Sequence, residues 1–280
     1  MSQPGGCIAI FDSGLGGLSV WREVAHLLPD EPLLYLADQV HMPYGVRPLA
    51  EIRHFAECIT GFLISQGAGI IVIACNTISG VALHHLRSLF PGTLFVGMEP
   101  ALKPAVQRTQ SGQVGVIATP VTIQGELFSR LLEQYDGQAQ VWAQACPGLA
   151  EAVEAGHLES EATLALLERY LRPLVAAGVD QLALGCSHYP FLRPLIERVV
   201  GSGVAVIDPA AAVARQTARL LARQQALPAV DQHTPYRFYT SGDVTTFQQV
   251  LGCLLPVDTV AGPQVCGVRW QAGSLAFCFI

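Results

Sequence analysis

The stretch Ile71-Val72-Ile73-Ala74-Cys75-Asn76-Thr77 decides how this chain is read, because Leu182-Ala183-Leu184-Gly185-Cys186-Ser187-His188 nearly repeats it. Each is a short apolar run closed by a cysteine and two hydrogen-bonding side chains. The cysteines are 186 − 75 = 111 residues apart. A second pair, Ile8-Ala9-Ile10-Phe11-Asp12-Ser13 and Val114-Gly115-Val116-Ile117-Ala118-Thr119, is offset by 106. Short apolar runs with polar tips read as buried strands of a parallel sheet. Apolar matches of this kind are common in α/β chains. If the repeat is real, two similar lobes each place one cysteine at a strand's carboxyl end, where open α/β sheets bind ligands.

Outward from these stretches, β-branched runs alternate with amphipathic ones, the pattern of βα units. The runs predict strands at Cys7–Phe11, Leu33–Leu36, Ile70–Ala74, Leu94–Val96, Val114–Ile117, Gln140–Trp142, Gln181–Leu184 and Val204–Ile207. Helices are expected over Leu18–Leu28, Ala50–Gln66, Ile78–Phe90, Gln124–Tyr135, Ser160–Ala177, Pro190–Val200 and Ala210–Gln225. Arg237–Tyr239 reads as a late strand and Val244–Leu251 as a last helix. The tail after Leu255 has no clear period.

Composition narrows the function. The chain of 280 residues is 51% hydrophobic and 14% charged, against about 25% charged in average soluble proteins, so it has ample material for a large core. A net charge of −6 without a Lys/Arg cluster argues against a nucleic-acid surface. No apolar run reaches the ~18 residues of a membrane span, and the opening Met1-Ser2-Gln3-Pro4 lacks a basic head. A cytoplasmic chain without a membrane partner is expected. The eight cysteines form no Cys-x-x-Cys pair, and no His-x-x-x-His occurs, so neither zinc nor a disulfide framework is expected. The single lysine, Lys103, precedes Pro104, which disfavours helix there and predicts a solvated loop. A lysine Schiff base, and with it pyridoxal phosphate, is nearly excluded.

Four segments could carry chemistry. Phe11-Asp12-Ser13-Gly14-Leu15-Gly16-Gly17-Leu18 runs from a strand through a glycine turn into a helix. It suggests a dinucleotide fingerprint with Asp38 as the ribose acid. However, Ser19 stands where the third glycine would fall, and Asp12 would repel a pyrophosphate. The alternative is a turn that brings N–H groups toward a smaller anion such as a carboxylate, with Asp12 and Ser13 as ligand groups. Asp38 with Pro43-Tyr44-Gly45 could be an ordinary turn or a cleft wall. Cys75-Asn76-Thr77 stands at a helix start, a placement that lowers a thiol's pKa. Cys186-Ser187-His188-Tyr189-Pro190 sets a thiol, a hydroxyl and an imidazole between a strand and a helix. A hydrolase-like Cys–His pair is disfavoured there, because residues two apart rarely face each other.

Two strand-end cysteines, one per half, suit another chemistry. Inverting an amino acid's Cα without a cofactor needs a base on one face and an acid on the other. A thiolate and a thiol can exchange these roles with reaction direction.

These motifs, with Thr122 and with Cys146-Pro147 followed by Glu154, resemble the glutamate racemases of the cofactor-independent Asp/Glu racemase family, in order from about residue 7 to about 225. Phe238-Tyr239-Thr240-Ser241-Gly242-Asp243 is a further echo. The resemblance implies two α/β lobes with mostly parallel sheets facing across a central cleft. One lobe would comprise residues 1–98 plus 209–280, and the other 99–208. It implies Cys75 and Cys186 as catalytic thiols, Asp12 and His188 as their assistants, and Asp38 and Glu154 as auxiliaries. Asp12, Ser13, Pro43, Tyr44, Gly45, Asn76, Thr77, Thr119, Thr122, Ser187 and His188 would bind substrate. The implied reaction interconverts L- and D-glutamate for peptidoglycan, with no cofactor or metal, in a homodimer. Aspartate or another acidic amino acid is the alternative substrate, and a dinucleotide-dependent oxidoreductase the distant one. The chain departs from the family pattern at Ser187, in place of threonine, at Ala118, in place of glycine, and at Ile78-Ser79-Gly80, where smaller residues are usual.

Overall fold

Every strand predicted from the apolar runs is present, and the runs divide between two sheets. The computed structural model describes residues 6–223, 236–255, 264–271 and 273–277. The first sheet is built from β1 (Cys7–Asp12), β2 (Leu33–Ala37), β3 (Ala68–Ile73) and β4 (Leu94–Val96), with β9 (Arg237–Thr240), β10 (Gln264–Gln271) and β11 (Ser274–Phe277) added late. Its order is β11-β10-β9-β2-β1-β3-β4. The second sheet takes β5 (Gln113–Ala118), β6 (Gln140–Ala145), β7 (Gln181–Gly185) and β8 (Ala205–Ile207), in the order β6-β5-β7-β8. All pairs are parallel except β10 with β11.

The internal repeat is thereby real at the level of topology. The order β2-β1-β3-β4 matches β6-β5-β7-β8 strand for strand, with Cys75 just beyond β3 and Cys186 just beyond β7. The two lobes are similar α/β units. Alternation along each strand sends one set of side chains to each face. Ile8 and Ile10 of β1, with Leu182 and Leu184 of β7, enter one core that runs through both lobes. Ala9 and Phe11 face a second core under α2 (Leu49–Ser65) and α3 (Asn76–Leu89). Val114, Val116 and Ala183 face a third, which includes Leu102 and Ala105 of α4 (Leu102–Arg108) and Phe128 of α6 (Glu126–Gln134). After β8 the chain returns to the first lobe through α10 (Ala210–Arg223), which packs on α1 (Leu18–Leu27). Among the described residues, no helix is long and apolar enough to cross a membrane.

Several elements differ from expectation. Lys103 lies in α4, not in a loop. Pro104 occupies that helix's first turn, where a missing N–H costs nothing, and Ala105 N–H still reaches the Ala101 carbonyl at 3.3 Å. The helix expected over Gln124–Tyr135 is α6, and a separate short helix, α5 (Pro120–Gln124), precedes it across Gly125, whose backbone is extended. Thr119 caps α5, accepting the Thr122 N–H at 3.2 Å. The helix expected from Pro190 opens as a 3-10 turn at Tyr189–Leu192 before α9 (Arg193–Val200). Residues 224 and 225 of the expected last long helix lie outside the described residues. Besides α4, α5 and short 3-10 turns, two more elements were not foreseen: α7 (Leu149–Glu154) and the hairpin of β10 and β11. In β10, Gly267 and Arg269 interrupt the apolar pattern, yet Val268 is buried and Trp270 packs edge-on against Phe55 of α2. Elsewhere α8 (Glu161–Ala176) and α11 (Val244–Leu254) complete the fold.

Candidate active site

The glycine turn after β1 is filled by the protein's own acids. Asp12 is fully buried at the strand's end. Its Oδ1 accepts the Ser13 N–H at 2.7 Å, and its Oδ2 accepts the Gly17 N–H at 2.6 Å and the Ser187 hydroxyl at 3.0 Å. Glu154, at the end of α7, accepts the Leu15 N–H. A side-chain carbon at Gly14 would stand 2.1 Å from Glu154 Oε1; at Gly16, 2.3 Å from His188 Nδ1; at Gly17, 2.8 Å from the Asp12 Cβ. The turn is therefore glycine-rich because side chains from both lobes crowd it. The expected small anion is a carboxylate, but it belongs to Asp12 and Glu154. No room is left for a pyrophosphate on these N–H groups, and the dinucleotide reading loses its site.

Cys186 and His188 do face each other, contrary to expectation, with Sγ and Nδ1 3.7 Å apart. The reason is local. The chain leaves β7 and turns at once, with His188 in helical backbone geometry, so the imidazole folds back over the sulfur. The other ring nitrogen, Nε2, meets Glu154 Oε1 at 2.7 Å, and Glu154 Oε2 accepts the Gln39 side-chain N–H at 2.8 Å. Burial alone would push the imidazole's pKa down, but the hydrogen bonds and charges of Cys186 and Glu154 outweigh it and hold His188 well above its ordinary value. Burial would likewise push Glu154 up, yet bonding to His188, Leu15 and Gln39 holds its carboxyl below the ordinary value. The two shifts run in opposite directions, the pattern of an ion pair between the imidazole and the carboxylate.

The Cys75 side is different. Cys75 is the residue before the first turn of α3 and is buried. The helix start was expected to lower this thiol's pKa. Burial instead drives it well above the ordinary value, the Asp12 charge adds to the rise, and the Ile78 N–H only partly opposes them. Asp12 itself is pushed up by burial, against the pull of His188 and the Ser13 N–H.

Both sulfurs line one cavity between the lobes. Its empty volume, including its mouth, is about 540 Å³. Ser13, Pro43, Tyr44, Gly45, Asn76, Thr77, Thr119, Ser187 and His188 all line it, so the structure brings together most of the site residues named from sequence. Thr122 stands just behind, its hydroxyl 3.1 Å from Thr77 Oγ1 and 2.9 Å from Thr119 Oγ1. Thr77 and Thr119 are 3.0 Å apart, so these three hydroxyls join the lobes. Asn76 is 3% exposed, and neither atom of its side-chain amide has a protein partner. An orphaned amide in a cavity wall is a ready ligand group. The lining contains no lysine or arginine.

Asp38 is not on the cavity. It is wholly buried behind Tyr44, with both oxygens engaged by Tyr44, His41, Ser241 and Trp270. Its expected place beside the chemistry is therefore corrected to one behind the wall. Glu154 also lies behind, on the far side of His188. The sequence reading missed Glu151 and Gln39, and it assigned no role to Cys146, which belongs to the buried core and also lines the cavity. Burial pushes the Cys146 thiol far up. Glu151 could have been found as the acid one turn before Glu154.

The family model for Asp/Glu/Hydantoin racemases matches residues 17–217. The chain belongs to that family. It is an isomerase of the racemase class. Curated relatives include the glutamate racemase of Ectopseudomonas mendocina, 47% identical over 255 residues, covering 91% of this chain and 97% of the relative. That of Herpetosiphon aurantiacus is 49% identical over 247 residues, covering 88% and 97%. Among solved structures, Escherichia coli glutamate racemase in complex with L-glutamate and the activator UDP-MurNAc-Ala superposes with a TM-score of 0.85 at 30% identity, over 96% of this chain and 100% of that one. The Francisella tularensis glutamate racemase in complex with D-glutamate gives 0.80 at 27% identity, over 93% and 96%.

Proposed function

We propose that this racemase interconverts L- and D-glutamate without a cofactor, using Cys75 and Cys186 as the two proton-transfer groups. The observation that carries the reading is that one sulfur from each lobe lines the same cavity. The names of the relatives support glutamate as substrate. One sulfur, as thiolate, removes the Cα proton on one face. The electron pair passes into the carboxylate, giving a planar centre. The other sulfur, as thiol, delivers its proton to the opposite face. The thiolate and thiol have then exchanged places, and reversing the direction restores them. Asp12 and His188 assist Cys75 and Cys186, and Glu154 keeps His188 charged. Ser13, the wall at Pro43-Tyr44-Gly45, Asn76, Thr77, Thr119 and Ser187 receive the substrate, with Thr122 supporting the two threonines.

On this reading residues 1–98 with 209–280 form one lobe and 99–208 the other. The product D-glutamate would serve peptidoglycan synthesis in the cytoplasm, and the active form would be a homodimer. The test is circular dichroism on pure L- and D-glutamate and L- and D-aspartate with no cofactor added. Both glutamates are expected to lose their signal. One methylene typically discriminates by only ~1–3 kcal/mol, so slow aspartate turnover is compatible with this reading. Aspartate racemised with glutamate untouched would replace it.

A further inference from the structure

Asp38 divides its two oxygens between the cavity wall and the late-sheet additions. Oδ2 accepts the Tyr44 hydroxyl at 2.5 Å and lies 2.8 Å from His41 Nδ1, both groups of the 39–46 segment. Oδ1 accepts the Ser241 hydroxyl at 2.7 Å and the Trp270 indole N–H at 2.7 Å. Met42, Pro43, Tyr44, Gly45 and Val46 of that segment line the cavity. Its far end rests against the other lobe, since a side-chain carbon at Gly45 would stand 2.8 Å from the Thr119 Cβ. The Trp270 ring is fixed in turn, 5.3 Å from the Phe55 ring and 4.8 Å from His41. Two short 3-10 turns, at Gln39–His41 and Tyr44–Val46, give the segment little backbone bonding of its own. Its position therefore depends on side-chain bonds: Gln39 to Glu154 and Thr240, the Val40 N–H to Ser241, and Tyr44 and His41 to Asp38.

We propose that Trp270, in a strand remote in sequence from the cysteines, is a positioning residue: through Asp38 it fixes Tyr44 and the cavity wall in the substrate-receiving arrangement. The proposal rests on the cavity's being the glutamate site. A buried carboxylate with four donors orients each of them tightly. Removing the indole N–H leaves Oδ1 with Ser241 alone and allows the carboxylate to rotate. Tyr44 and the segment then lose register with the cavity. Proton transfer between the sulfurs does not pass through Trp270, so binding should suffer before chemistry.

The experiment is steady-state racemisation by Trp270→Phe, which keeps the ring against Phe55 and His41 but loses the donor. KM for both glutamate enantiomers should rise about fivefold, the size of one lost hydrogen bond, with kcat changed less than twofold. Tyr44→Phe should raise KM similarly, and Trp270→Phe should add little in that background, because both act through Asp38. Ser241→Ala, which removes the other Oδ1 donor, gives a second probe should Trp270→Phe lower the melting temperature. Trp142→Phe, in edge strand β6, should match the wild type. An unchanged KM in Trp270→Phe and Ser241→Ala, or full additivity with Tyr44→Phe, would overturn the proposal while leaving the function intact. A wild-type chain that racemises neither glutamate would instead remove the reading on which it rests.

Discussion

The two cysteine sites share a topology and differ in charge. Cys75 follows β3 and Cys186 follows β7, equivalent strands of matching sheets. Yet Cys75 faces a buried carboxylate, Asp12, whereas Cys186 faces an imidazole held cationic by Glu154. Burial and Asp12 both favour the neutral thiol at Cys75. The two sulfurs thus stand in unequal surroundings: burial and a carboxylate raise the Cys75 thiol, and the imidazole beside Cys186 is itself raised well above its ordinary value. A duplicated fold brings one sulfur from each lobe to the same cavity, and the neighbours of the two sulfurs are unequal. On the proposed two-thiol mechanism that inequality matters, because two thiols offer no base and two thiolates no acid.

The harshest test of this pairing is to remove one sulfur at a time. Cys75→Ser and Cys186→Ser should each lower racemisation by at least about 10³-fold, since a serine hydroxyl is a far weaker acid–base partner. Each variant should still eliminate HCl from a β-chloro analogue of one enantiomer, which needs a single base, and the two should prefer opposite enantiomers. Proton NMR of the elimination product reads the preference. Near-wild-type racemisation by either variant would end the two-thiol mechanism for this chain.

Glu154→Gln sharpens the contrast from one side only. It removes the carboxylate that keeps His188 charged, so kcat/KM should fall about 10- to 100-fold. Enantiomers have equal free energy, so the fall must be the same in both directions, while kcat and KM can shift unequally between them. Stability should show the same pair. His188 is raised above 6.5 on folding, so its contribution is full below that value and is lost as pH rises through the folded one. Glu154 is lowered from 4.5, so its contribution is present above 4.5 and is lost as pH falls through its folded value. Urea midpoints of wild type and Glu154→Gln should therefore differ most between pH 4.5 and 6.5 and converge toward high pH. A gap independent of pH would mean that the pair is not ionised as described.

Much of this was legible in the chain because period and position carry it. Buried parallel strands read as unbroken apolar runs, so β1, β3, β5 and β7 and their polar tips stand out, and with them Asp12, Cys75, Thr119 and Cys186. What stayed hidden depends on neighbours distant in sequence. The glycines at 14, 16 and 17 looked like a phosphate cradle because nothing nearby shows that Glu154 and His188 will fill it. The direction of the Cys75 shift was misjudged because the helix start is local, whereas burial and Asp12, from a different strand, are not. Asp38's strand-end position suggested a cleft wall and the family resemblance an auxiliary role, and the hydrogen bonds from Ser241 and Trp270 place it behind the wall. The β10–β11 hairpin eluded periodicity because an edge pair, half exposed, needs few apolar residues.

The smallest expected effect tests the link between the halves. Ser187 donates to Asp12 Oδ2 at 3.0 Å, and its carbonyl accepts the Ser19 hydroxyl at 2.9 Å, so it ties the Cys186 loop to the Asp12 turn. Removing the hydroxyl in Ser187→Ala leaves Asp12 with its two N–H donors and leaves the Ser19 contact intact. The carboxylate loses one of four hydrogen bonds, the Ser13 hydroxyl also donating to Oδ1, and one hydrogen bond to a charged group is worth about 1.5–3 kcal/mol at most when its loss cannot be compensated. Here the Gly17 N–H shares the same oxygen, so the cost should be smaller, about a three- to tenfold fall in kcat/KM. Ser187→Thr keeps the hydroxyl and adds a methyl beside Asp12 and His188, and it should hold activity within about threefold. If Ser187→Ala were as damaging as Glu154→Gln, the Asp12 side would depend on the Cys186 loop as heavily as Cys186 depends on His188. The two sites would then act as one unit, and their unequal charges could not be assigned to separate sulfurs.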